Sequence, residues 1–143
     1  MDADRAYTYK KNIEEASLHK FLGLNIEKIE NGEALLSMPV QGSTLNPAGS
    51  LHGGVVYLAA DVAAFSAIGS ILCEDEFAVT IDIHCSIYKG TRNGPILYKA
   101  KVAKRTRRLA FINVEVTDYD VNLIAEARVT KAITRPVPKV FQS

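Results

Sequence analysis

Residues 52–72 read HGGVVYLAADVAAFSAIGSIL, and this run decides the fold. Two glycines open it, and apolar or small residues then fill every face a helix would have. Asp61 is the only formal charge between His52 and Glu74. A membrane span needs roughly 20 apolar residues and rarely carries an acid at its centre. This run is Ala-rich and interrupted by Asp61, so it reads as a core helix from about His52 to Leu72. A helix apolar on nearly all sides must be surrounded. The alanines at 59, 60, 63, 64 and 67 would let a covering layer come close.

The sequence on either side supplies that layer. Towards the N-terminus, Pro39 to Ser50 holds Gly42, Pro47 and Gly49 and is loop. Leu24 to Met38, broken at Asn31-Gly32, reads as two strands joined by a hairpin turn. Before it, Ala6, Tyr9, Ile13 and Ala16 recur at helical spacing, giving a helix from about Arg5 to Lys20 that Gly23 ends. Beyond the long helix the period changes to two. Phe77, Val79, Ile81, Ile83, Cys85 and Ile87 alternate with Ala78, Thr80, Asp82, His84 and Ser86. Strands follow at Ile96 to Lys104, Leu109 to Thr117 and Leu123 to Ile133, and Pro136 and Pro138 close the domain with a tail. The order is helix, two strands, long apolar helix, four strands. One antiparallel sheet curving around the long helix, an α+β fold, satisfies it.

The 143 residues fit a single domain, and 48% of them are hydrophobic, enough for a core. A net charge of +1 gives no case for nucleic acid. Cys73 and Cys85 have no CxxC spacing and read as reduced and buried. The opening MDADRAYTYKKNIEE lacks the apolar stretch of a signal peptide, so the expected compartment is the cytoplasm. His19, His52, His84 and Cys85 match no zinc spacing, and no G-x-S-x-G element is present. No metal and no cofactor are expected.

The chemistry concentrates between Asn46 and Asp61. Glycines at a helix start cost about 1 kcal/mol each relative to alanine in an interior position, but they let another molecule approach the backbone. The first N–H groups of a helix lack intrahelical partners and sit at the positive end of its dipole. An oxygen gaining charge there would be stabilised, as in an oxyanion hole. An acid in an apolar helix is either paired or catalytic, and a desolvated carboxylate can serve as general base or nucleophile. Gly53 and Asp61 are separated by about 12 Å along one helix. One Asp side chain cannot span that gap to a carbonyl held at its own Gly53, so joint action requires two antiparallel copies and a symmetric dimer with two sites.

Asn46, then His52-Gly53-Gly54, then Asp61 resembles the motif of hotdog-fold thioesterases. The resemblance is nearest to the branch with the phenylacetate-pathway, 4-hydroxybenzoyl-CoA and small mammalian acyl-CoA thioesterases. It implies a six-stranded antiparallel sheet wrapped around the central helix, dimers joined edge to edge and often paired into tetramers, no metal, and an acyl-CoA substrate. It also implies that Gly53 offers its N–H to the thioester oxygen, that Asp61 of the partner subunit is base or nucleophile, that Asn46 helps place the attacking group, and that His52 shapes the loop. Thr80 stands where the family carries a serine that helps hold water. By strand alternation Thr80 faces away from Val79 and Ile81, which counts against that role.

Lys104-Arg105-Thr106-Arg107-Arg108 is the most basic run, with Lys89 and Arg92 in a separate turn. Lys89, Arg92, Lys104, Arg105, Arg107 and Arg108 are candidates for the phosphates of coenzyme A. A solvated turn is the alternative for the run. The same fold also serves as a non-catalytic acyl-CoA-binding domain, and Asp61 favours the enzyme.

Overall fold

A computed structural model describes residues 1–142. The central helix α3 spans Gly53–Gly69, preceded by α1 (Ala3–Glu15), α2 (Ser17–Leu22), β1 (Asn25–Glu30) and β2 (Glu33–Met38). It is followed by β3 (Phe77–Ile87), β4 (Ile96–Arg105), β5 (Leu109–Thr117) and β6 (Leu123–Thr134). The six strands form one antiparallel sheet in the order β1-β2-β4-β5-β6-β3. This is the hotdog arrangement. Ala59, Ala60, Ala63, Ala64 and Ala67 are all fully buried, which lets the sheet close on α3 without side chains holding it off.

The expected N-terminal helix is two helices. Ala16 leaves the helical region at φ −57°, ψ 130°, and the ring Nδ1 of His19 donates to the carbonyl of Ile13 at 2.6 Å. A side chain thus satisfies an acceptor that the break exposes. Gly23 ends α2 in the left-handed conformation, and Asn31-Gly32 (φ 49° and 79°) makes the tight hairpin turn. The cysteines are free, but Cys73 is exposed and Cys85 half-buried, so neither is the buried residue expected.

The second departure lies in β3. Thr80 pairs with Lys131 and Asp82 with Thr130, which leaves Ile81 as an extra residue. A bulge shifts the alternation by one, so inward positions change parity across it. Ala78 and Thr80 turn towards α3 on one side, and Ile83 and Cys85 pack on the core on the other. Val79 and Ile81, expected opposite Thr80 on the apolar side, are 42% and 58% exposed.

Candidate active site

The loop before α3 is built by its own polar groups. Asn46 Oδ1 accepts from the N–H groups of Ala48 and Ser50, each at 3.0 Å. The N–H of Asn46 returns to the Ser50 carbonyl at 2.7 Å. The asparagine side chain therefore closes the turn that carries the chain to the helix. His52 is the N-cap, its Nδ1 accepting from the Gly54 N–H at 2.9 Å. The N–H of Gly53 finds no acceptor among the described residues. A Cβ on Gly53 would lie 2.9 Å from Ile87 Cδ1, so the α3 N-terminus rests against the far end of β3.

Along α3, Gly54, Tyr57, Asp61 and Phe65 share the least covered face. Asp61 is one-third exposed. Its Oδ1 accepts from Thr80 Oγ1 at 2.7 Å and from Lys131 Nζ at 3.0 Å, and Nζ also donates to Thr80 Oγ1 at 2.6 Å. Among the described residues no donor reaches Oδ2. The Lys131 side chain is only 2% exposed. Burial pulls its pKa below the ordinary 10.5, and Asp61 opposes that fall. The cleft of about 270 Å³ at this point is also lined by His19 and Phe65. It adjoins an apolar cleft of about 500 Å³ lined by Ile13, His19, Phe65, Val140 and Phe141.

Thr80 thus reaches Asp61 despite the alternation expected of its strand, because the bulge resets it. Lys131 was not singled out from sequence. The signal was present: Lys131 shares the strand parity of Val129 and Ile133, both buried, so a lysine stands in a core register. Asn46, His52 and Gly53 sit together at one end of α3, and Asp61 and Thr80 lie further along it.

The basic candidates separate into two groups. Lys89 and Arg92 line a polar cleft of about 550 Å³ beside Ser50, at the Gly53 end. Arg92 Nη2 donates to the Ala48 carbonyl at 3.1 Å, tying the two loops together. Lys104, Arg107 and Arg108 are exposed at the β4–β5 turn and make no ion pair among the described residues. Arg105 is committed elsewhere: its guanidinium pairs with the buried Glu76, which Arg135 also holds. Its charge closes the structure after α3 and is withdrawn from the phosphate candidates. Among the described residues, no cluster of acids, histidines and cysteines is arranged to hold a metal ion, and no helix is long and apolar enough to cross a membrane.

Comparison with known proteins bears on the family and the fold. The profile of the Thioesterase superfamily matches residues 48–125, more than half of the chain. A candidate esterase of Sulfurisphaera tokodaii is 29% identical over 113 residues, covering 79% of this chain and 84% of that protein. The 1,4-dihydroxy-2-naphthoyl-CoA hydrolase of Listeria monocytogenes is 24% identical, covering 82% of this chain and 96% of its own. The crystal structure of a thioesterase from Haemophilus influenzae superposes with a TM-score of 0.83 at 23% identity, over 90% of each chain, and so shows the same fold.

Proposed function

The chain belongs to the thioesterase superfamily and is a thioester hydrolase; on that premise we propose that it hydrolyses an acyl-CoA to free acid and coenzyme A, at two sites shared across a homodimer. The observation that carries this reading is the Asp61 carboxylate. It lies on the open face of α3 with Oδ1 bonded and Oδ2 unpartnered among the described residues.

In each site the Gly53 N–H faces the thioester oxygen and Asp61 of the partner subunit faces the thioester carbon. Oδ2 either takes a proton from the attacking water or attacks the carbon itself, giving an anhydride that water then opens. The carbonyl oxygen gains charge against the unpartnered N–H and the positive end of α3. Collapse breaks the carbon–sulfur bond; the departing thiolate takes the proton that Asp61 drew from water in the first route, or one from solvent water in the second. Asn46 and His52 hold the loop that aims Gly53, and Thr80 holds Asp61. Lys89 and Arg92, at the Gly53 end, are the candidates for the coenzyme A phosphates, with Lys104, Arg107 and Arg108 as the second group.

Support for the dimer comes from β3. It is an edge strand of 11 residues, with Val79, Ile81 and Ile87 exposed. Unpaired edges of this length and character are pairing surfaces. Pairing with its own copy, antiparallel about the middle near Asp82, sets the Ile87 end of one strand against the Phe77 end of the other. Gly53 lies against Ile87, and Asp61 is bonded to Thr80. The two groups that one helix holds about 12 Å apart are then brought together from two chains. Pairing of dimers into tetramers is compatible with the exposed outer face of the sheet.

Free-thiol release from a panel of aromatic, short-chain and long-chain acyl-CoAs tests the reading. The parent turns over at least one class, and Asp61→Asn lowers kcat by roughly 10²- to 10⁴-fold. Turnover at the parent rate in Asp61→Asn removes Asp61 from the mechanism. Binding without turnover in the parent makes the chain an acyl-CoA-binding domain instead.

A further inference from the structure

Lys131 is the least expected residue of the core. It lies in the last third of β6, on its inner face, 2% exposed, with its Nζ 5.5 Å from the centre of the Phe65 ring. Desolvating an ammonium costs several kcal/mol, and a methionine would fill the same slot without that cost. Its position across from Thr80 is set by the β3 bulge. Without the extra residue at Ile81, one of the two flanking segments of β3 would turn its inward side chains outward.

The three polar groups close a ring. Thr80 Oγ1 donates to Asp61 Oδ1 and accepts from Lys131 Nζ, and Nζ donates to the same Oδ1. Both tethers fall on one oxygen. We propose that Lys131 is a positioning residue for the thioesterase reaction: with Thr80 it fastens Oδ1 of Asp61 and leaves Oδ2 as the only oxygen presented to the reacting thioester. The inference rests on the reading that Asp61 acts on the thioester. A carboxylate held at one oxygen loses the freedom to rotate that oxygen into the site, and small misplacements of a reacting group cost heavily in rate. The other titratable side chain lining this cleft is His19, from α2. β3 presents Thr80, and the β5 residue beside Lys131 is Ala110.

Four chains measured for kcat, KM and thermal stability test this: the parent, Asp61→Asn, Lys131→Met and the double variant. Lys131→Met should keep its KM and melt no lower than the parent, since Asp61 is one-third open to water. Its kcat should fall by about 10- to 100-fold. The double variant should be no slower than Asp61→Asn, because Lys131 acts only through Asp61. The parent should lose kcat at alkaline pH, below the ordinary lysine value of 10.5, as the Lys131 ammonium is lost; burial sets that direction. Lys131→Met should lack this limb. Parent-like kcat in Lys131→Met, or losses that multiply in the double variant, overturns the proposal while Asp61 remains in place. A parent with no alkaline limb below 10.5 does the same, and that measurement stands even if Lys131→Met does not fold. Parent-like turnover in Asp61→Asn overturns the functional reading itself.

Discussion

Glu76 shows how one side chain ties the far end of α3 to the sheet. It is 3% exposed, accepts from the Cys73 N–H at 2.9 Å, and is held by Arg105 and Arg135. Burial alone would raise its pKa, but the Cys73 bond and the two guanidiniums outweigh it and bring the pKa below the ordinary 4.5. The folded chain therefore binds this proton less readily than the unfolded chain. The stabilisation is complete above pH 4.5 and is lost as pH falls through the lower folded value. The melting temperature should decline in that acid window, and Glu76→Gln should melt lower than the parent at neutral pH with a flatter decline. An equally steep decline in the variant would assign acid unfolding to other carboxylates. Residues of this kind differ in how plainly the sequence announces them. Asp61 was legible because it is the lone charge in an apolar helix. Arg105 was not, because a run of four cations gives no sign of which one turns inward. Thr80 was misplaced because one unpaired residue, Ile81, carries no mark in a strand that alternates cleanly.

Among the elements, α3 is bounded by two tight contacts of opposite character. At its start, a side chain on Gly53 would meet only the flexible tip of Ile87. At its end, a Cβ on Gly69 would press on the ring of Tyr9, lying 2.9 Å from Cδ1 and closer still to Cε1. Tyr9 is fully buried and packed between Phe65 and Phe141, with ring centres 5.7 and 4.9 Å away, so it has nowhere to move. Gly69→Ala should therefore destabilise by about 1–3 kcal/mol, read from urea melting, even though alanine is the better helix former. A neutral or stabilising result would mean that α1 can shift as a body. The Asn31-Gly32 hairpin and the core helix could be read from local chemistry because their determinants are neighbours in sequence. The break at Ala16 could not, since what stabilises it is the His19 ring reaching back to Ile13, with no proline or glycine at the site.

For the molecule as a whole, the open edge of β3 is where the proposed pairing of two copies would form. Ile81 bulges from the pairing with β6 and is 58% exposed on that edge. A lysine there should obstruct edge pairing. Ile81→Lys is expected to give a folded monomer by light scattering with activity reduced in parallel. A fully active monomer would sink the shared-site arrangement. The strand order explains why sequence alone stopped short of this site: β6 inserts between β5 and β3, so Thr80 meets Lys131 across 51 positions of chain. That order also bears on how the chain comes off the ribosome. β3 emerges third among the strands, yet its one partner in the sheet is the sixth. For the several seconds that synthesis takes to reach β6, an apolar strand waits with both edges bare. Over the same interval the Asp61 carboxylate has no counter-ion. Strand β3 and the acid beside it are completed together, by the last strand of the sheet to be made.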